Sequence, residues 1–190
     1  MNMAESQELD KFAVLRAAAG DREALAEVLA FLQAPLYRYI LRLVFRPDVA
    51  EDVLQDVLFT ICRKLPWLRD PELIRPWAFR IATRQCFRQL RSEKRRNEQG
   101  LDVDIRDDTL RQEAAFEWEP YLVDWVDALP AACRSVIALH YLEELSLGEV
   151  SAVLEISPGT VKSRLAYGLS LLRKQANRAT ALCPGGANND

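Results

Sequence analysis

Residues 146–167 read SLGEVSAVLEISPGTVKSRLAY, and this stretch decides the fold class. Ser146 and Glu149 have the spacing of a capping box, in which a serine side chain and a glutamate three residues on satisfy each other's free backbone amides. The helix begun there carries Val150, Val153 and Leu154 on one side and turns at Glu155-Ile156. Ser157-Pro158 starts a second helix, with serine as N-cap and proline at the first helical position, where no amide hydrogen is needed. Val161, Leu165, Gly168, Leu169 and Leu172 then fall within about 100° of one another and form an inward face. The opposite face shows Thr160, Ser163 and Tyr167, with Lys162, Arg164 and Ala166 at its margins, and no acidic residue stands between Gly159 and Arg178. The pattern is a helix-turn-helix whose second helix suits a major groove: hydrogen-bonding groups and small apolar contacts for base edges, cations for phosphates. An ordinary amphipathic hairpin with a solvated basic face is the plainer reading of the same residues.

Working outward, the chain keeps this helical character. Only 7 of 190 residues are glycine, strand-like alternation is almost absent, and three- and four-residue apolar spacing recurs. Asp21 to Phe45 forms apolar faces through Leu25, Val28, Leu29, Leu32, Leu36, Ile40, Leu43 and Val44, with Pro35 predicting a break or kink. Arg46-Pro47-Asp48 ends that run, and Asp48 is the expected cap of the next helix. From Ala50 to Leu65 the pattern is cleaner: Ala50, Val53, Leu54, Val57, Leu58, Ile61 and Leu65 share one side, while Asp52, Gln55, Asp56, Phe59 and Arg63 share the other. Pro66, Pro71 and Pro76 mark a short loop before a long helix to about Arg96. The expected fold is all-α: two small helical domains, residues 21–96 and 120–177, joined by an acidic linker over 97–119. A polar segment, 1–20, precedes them and a tail, 178–190, follows.

The net charge of −3 hides two basic patches. Residues 75–96 carry 8 basic and 1 acidic side chains, and 157–190 carry 5 and 1; between them, 97–156 carries 3 basic and 14 acidic. In the first patch Arg80, Arg84, Arg88, Arg91 and Arg95 lie within about 80° on a helical wheel, while Phe79, Ala82, Cys86 and Leu90 gather elsewhere. Like charges stacked at this spacing destabilise an isolated helix. A polyphosphate partner is the simplest compensation; a merely solubilising face would normally mix signs. Trp77 and Phe87 near the stripe read as packing residues rather than base-stacking platforms.

Four segments, in order, resemble a known family. AEDVLQDV (50–57) is similar to a helix of sigma region two, and RPWAFRIA (75–82) to the helix that follows it there. LPAACR (129–134) with YLEELS (141–146) resembles the opening of region four, and ISPGTVKSRL (156–165) its recognition segment. The chain is identified as a member of the sigma-70 family of RNA polymerase sigma factors, of the extracytoplasmic-function (group 4) class, which has these two regions alone. The resemblance implies an alternative sigma factor that directs core RNA polymerase in promoter recognition, promoter melting and transcription initiation of a stimulus-specific regulon. It implies that Asp52, Gln55, Asp56 and Phe59 face the clamp helices of the polymerase largest subunit, and that the second-largest subunit's flap is a further contact. It assigns the loop from Leu68 to Ile74 to capture of a flipped base, the stripe from Arg80 to Arg95 to the adjacent strand, and Thr160, Lys162, Ser163, Arg164, Ala166 and Tyr167 to upstream promoter duplex. The acidic linker would thread near the polymerase cleft, and an anti-sigma factor, often membrane-anchored in relatives, would hold the protein inactive. Arg84 and Arg88 depart from the family pattern, where Asn and Asp are common, so base contacts there do not carry over.

Other classes fit less well. A stand-alone helix-turn-helix regulator, with residues 1–96 as sensor or dimerisation domain, leaves the Asp52, Gln55, Asp56 face unexplained. A nucleic-acid enzyme needs clustered carboxylates or His/Cys ligands beside the basic patches. The chain has one histidine, His140, and cysteines at 62, 86, 133 and 183, without metal-ligand spacing. No catalytic residue, metal or cofactor is expected, the cysteines read as reduced thiols, and no signal peptide or membrane insertion is predicted. A cytoplasmic protein is the expectation.

Overall fold

The computed structural model describes residues 9–98 and 125–182. Two compact units divide the chain: Met1–Arg95 makes up most of the first, and the second is built from Arg96–Ser151 and Ile156–Asp190. Among the described residues every regular element is helical. Most of the acidic linker and the end of the tail lie outside the described residues, as does Cys183.

The first unit opens with a helix where the composition suggested only a polar segment. In α1 (Lys11–Ala18) the carboxylate of Asp10 accepts from the Phe12 amide, and Ala13, Val14 and Ala17 are buried against α2. Its apolar face is mostly alanine, too small to stand out in a hydropathy pattern. Gly20 turns the chain at φ +99°, a left-handed conformation that glycine adopts without steric cost. Asp21 then caps α2 (Arg22–Val44), accepting from the amides of Glu23 and Ala24. Those bonds, first that from Ala24 and then the one from Arg16, hold the Asp21 carboxyl below its ordinary range.

Pro35 does not break α2, which runs through it unbroken. The lost backbone bond is outweighed by packing on both sides: Val28, Leu32, Leu36 and Ile40 are all fully buried. By length and composition α2 could also span a membrane, but this buried face belongs to the core of its own unit. Its end is set by Phe45 in the left-handed region, φ 59°. Next, α3 (Pro47–Lys64) begins earlier than expected: Arg46 is the N-cap without a side-chain bond, and Asp48 lies in the first turn rather than at the cap. Proline at the first position supplies a preset φ in place of the cap. Arg46 donates to Asp48 at 2.6 Å, and this bond pulls the Asp48 carboxyl below its usual range.

Two single 3₁₀ turns follow, Leu65–Trp67 and Pro71–Leu73, the second capped by Asp70. The long α4 (Ile74–Glu98) starts immediately after them, so Ile74 is helical and buried rather than part of the loop. Ile74, Ala78, Phe79, Ala82, Thr83 and Cys86 form its buried side. The ring of Tyr39 meets Phe79 edge-on at 5.4 Å, and its hydroxyl lies 2.9 Å from that of Thr83. Thr83 in turn donates to the Phe79 carbonyl.

In the second unit α5 (Ala131–Ile137) continues into one wider π-helical turn, Ala138–Leu142. Buried Arg134 donates to the Leu129 carbonyl at 2.7 Å, and burial lowers its pKa. His140 donates from Nδ1 to the Leu145 carbonyl, bridging the bend that ends at Glu144 (φ 57°). The short α6 (Leu147–Leu154) and the long α7 (Pro158–Leu182) follow. Val126, Leu129, Cys133 and Ile137 are its buried centre, with Leu165, Leu171 and Leu172 against it.

The approach of α7 to α5 is set by Gly168. A Cβ there would lie 2.6 Å from Ile137 Cδ1 and 3.3 Å from Cys133 Cβ. Gly168→Leu is expected to destabilise the second unit by about 1–3 kcal/mol through overpacking. Gly168→Ala should stay near neutral, because a helix-propensity gain of about 1 kcal/mol offsets the tighter contact. Thermal unfolding followed by circular dichroism checks both.

Cys62, Cys86 and Cys133 are free thiols. Burial pushes the Cys86 thiol up to about 12 from an ordinary 9.0. The folded state therefore keeps a proton that the unfolded chain loses above pH 9, and this contribution to stability disappears as pH rises towards 12. The stability advantage of the native chain over Cys86→Ala should shrink by up to about 1.4 kcal/mol per pH unit in that window. Urea titrations from pH 8 to 11 measure it; a constant difference refutes the assignment.

Candidate nucleic-acid interface

With its inner side fixed, α4 turns Arg84, Arg88, Arg91 and Arg95 outward, all exposed, while Arg80 is half-buried. Glu93, the one acid between residues 75 and 96, does not neutralise the row. Its carboxylate accepts from Gln89 at 3.2 Å and lies 3.7 Å from Arg46 at the start of α3. Trp77 and Phe87 are half-buried, in keeping with packing roles.

The outer side of α3 presents Asp52, Gln55, Asp56 and Phe59, all exposed, with Phe59 at 64%. The guanidinium of Arg63 sits over the Phe59 ring, 5.8 Å from its centroid. This face is not isolated from the basic one: Arg88 Nη2 lies 3.4 Å from Asp56 Oδ2. Sequence periodicity separates the two faces on their own helices and says nothing of how neighbouring helices align them, so the cross-helix pair escapes it. Trp67 is 75% exposed in the turn after α3 and, as part of a proline-rich loop, belongs to no periodic face.

In the second unit the capping box forms as its spacing predicts. The Ser146 amide donates to Glu149 Oε2 at 2.8 Å, and the Glu149 amide donates to Ser146 Oγ at 3.2 Å. The turn between α6 and α7 passes through Glu155 at φ 55° and is closed by Ser151 Oγ donating to the Ile156 carbonyl at 2.6 Å. Ser157 caps α7, accepting from the Thr160 amide at 3.1 Å. Val150, Val153 and Val161 are buried.

Of the six residues on α7 expected to face DNA, Lys162, Ser163, Ala166 and Tyr167 are exposed and Thr160 and Arg164 half-buried. The charge of Arg164 partly offsets the rise that burial causes in the Cys133 thiol on α5. Thr160 and Ser157 share a hydroxyl–hydroxyl bond, and Ser163 donates to the Thr160 carbonyl. The Ser163 hydroxyl proton is thus used within the helix, whereas either hydroxyl can be the donor in the Ser157–Thr160 bond. Among the described residues no group of three His, Cys, Asp or Glu side chains is placed to hold a metal.

Family models for Sigma-70 region 2 and Sigma-70, region 4 match residues 32–96 and 121–172. The chain is 30% identical over 176 residues to the ECF RNA polymerase sigma-E factor of Haemophilus influenzae, covering 86% of this chain and 92% of that one. It is 33% identical over 146 residues to the RNA polymerase sigma-E factor of Streptomyces avermitilis, covering 75% and 79%. SigW of Bacillus subtilis, an ECF RNA polymerase sigma factor, is 28% identical over 171 residues, covering 82% and 90%. Two solved structures share the fold. CnrH in complex with the cytosolic domain of CnrY has a TM-score of 0.64 at 20% identity, covering 90% of this chain and 99% of that one. The sigma factor RpoE in complex with the anti-sigma factor NepR from Bartonella quintana has 0.63 at 21%, covering 82% and 96%. A lone helix-turn-helix regulator has no place for the region 2 match. With both regions present in order, the chain belongs to the extracytoplasmic-function class of sigma-70 family RNA polymerase sigma factors.

Proposed function

We propose that this sigma factor grips core RNA polymerase through α3, holds the melted promoter strand along α4 and the turns before it, and reads upstream duplex with α7. The observation that carries the division is the segregation of charge within the first unit, an acidic and aromatic side on α3 beside an arginine side on α4. Carboxylates around an exposed phenylalanine suit the clamp helices of the largest subunit, where an aromatic anchor ringed by polar contacts concentrates binding energy. Guanidinium groups in a row suit phosphates, which they bind through two parallel hydrogen bonds each. Residues 68–73 would hold an extruded base, and the second unit would also meet the flap.

On α7, Lys162 and Arg164 contact phosphate, while Thr160 and Ser163 accept from exocyclic amines of adenine or cytosine and Tyr167 and Ala166 make apolar contacts. The protein catalyses nothing itself and works in the cytoplasm. An anti-sigma factor holds it inactive, an assignment supported by the complex in which the Bartonella quintana relative was solved.

In vitro transcription with the cognate core polymerase on a genomic promoter set tests the whole reading, and initiation at no promoter overturns it. Asp52→Ala combined with Gln55→Ala should weaken core binding by roughly tenfold or more, on the scale of interface hot spots, in a fluorescence competition assay.

The DNA-facing roles separate by salt and sequence. Arg91→Gln should weaken holoenzyme binding alike on all promoters and lower the salt slope by about one. Tyr167→Ala should change the ranking of promoter variants, with discrimination shifts of about 1–3 kcal/mol at the affected base pair. A uniform loss from Tyr167→Ala would place that residue on the backbone instead.

A further inference from the structure

Two ion pairs cross the seam between α3 and α4 with opposite polarity. Arg46 at the head of α3 lies 3.7 Å from Glu93 on α4, and Asp56 on α3 lies 3.4 Å from Arg88 on α4. The second joins the two surfaces to which separate partners are assigned above. Both of its side chains are largely exposed, at 66% for Asp56 and 70% for Arg88, so a partner can reach either one. The 3.4 Å separation is longer than the roughly 2.7–2.9 Å of a tight charge-assisted bond. The pair is in contact without being locked.

We infer that Asp56 is a positioning residue for Arg88: in the free chain it draws the guanidinium over α3, and when polymerase covers α3 the arginine is handed to the DNA backbone. The inference rests on the functional reading above. A carboxylate engaged by a polymerase cation attracts Arg88 less, and the freed guanidinium is better placed to take a phosphate. Because such coupling is reciprocal, DNA bound at Arg88 strengthens the hold of polymerase on Asp56 by the same factor. An exposed pair of this kind sets the factor at roughly two- to fivefold. That is enough to bias the free chain away from stray nucleic acid and too little to hinder assembly.

The test uses the full-length chain and a fluorescent oligothymidine strand, read by anisotropy across a salt series. Asp56→Asn should tighten binding by roughly two- to fivefold and steepen the salt dependence by about one phosphate contact. Asp56→Glu should behave as the native chain. Asp52→Asn makes the same charge change one turn away on the same face, and should have much the smaller effect. In an Arg88→Gln background the gain from Asp56→Asn should vanish. With core polymerase added, Arg88→Gln should cost more affinity for promoter DNA than it costs the free chain for the strand.

Equal gains from Asp56→Asn and Asp52→Asn, or a gain that survives Arg88→Gln, would overturn the handover. If Arg91→Gln still weakens strand binding in that case, the handover alone fails. If Arg91→Gln has no effect either, the strand-holding role of the stripe falls with it.

Discussion

The buried contact of Tyr39 with α4 fixes what the first unit can present. Tyr39 is 1% exposed, its ring against Phe79 and its hydroxyl on Thr83. Turning α4 by one residue would rotate its faces by about 100°, leave the phenol without Thr83 and drive arginines inward. Losing that buried hydrogen bond costs about 0.5–1.5 kcal/mol, and a buried guanidinium costs more. The rotation of α4 is thus set from its inner side, and the outward line of arginines is a consequence. The same contact answers the stacked like charges. Each i,i+4 repulsion costs only a few tenths of a kcal/mol, whereas burying the Phe79 side chain alone contributes about 1.5–3 kcal/mol.

The second unit solves a related problem with less surface. A helix that offers one side to a partner must keep the other for its own domain. Gly168 lets α7 come close to α5 where Ile137 and Cys133 leave little room for a side chain. The packing side can then be narrow, and Ser163, Ala166 and Tyr167 stay outward. The turn before α7 places a non-glycine residue, Glu155, at positive φ. That conformation costs about 1–2 kcal/mol, which the Ser151–Ile156 bond and the Ser157 cap offset locally. The helix-turn-helix angle is therefore maintained by short-range bonds that the sequence spells out.

This difference explains what could be read without a structure. The capping box, the Ser157-Pro158 start and the arginine row are local, depending on residues three or four apart, and they were legible. The helix at Lys11–Ala18 was not, because Ala13 and Ala17 bury little area each and carry no strong pattern. Pro35 does not break its helix, because the rule against proline in helices counts the lost backbone bond and not the burial of Leu32 and Leu36 around it. Asp48 was a reasonable cap by type, but proline at position 47 had already set the helix start. The candidate polymerase and DNA residues could be assigned to faces, since a face follows from periodicity. Their juxtaposition could not, since Asp56 against Arg88 and Arg46 against Glu93 depend on how α3 and α4 are rotated about their own axes.

Buried and exposed interactions consequently divide the work by strength. The apolar seams hold each helix at one rotation with several kcal/mol, and they are insensitive to salt. The pairs on the surface are worth about 1 kcal/mol or less and weaken as salt rises. A transcription initiation factor has to keep its shape while exchanging partners, and exposed pairs can be traded for a polymerase cation or a phosphate at little cost. Glu93 shows the limit of this economy. Placed facing outward it would cancel part of the arginine row; turned to Arg46 and Gln89, it instead ties α4 to the head of α3. The one acid among residues 75–96 thereby stabilises the unit and leaves the field of the stripe intact, so a chain of net charge −3 can still offer nucleic acid a locally cationic surface.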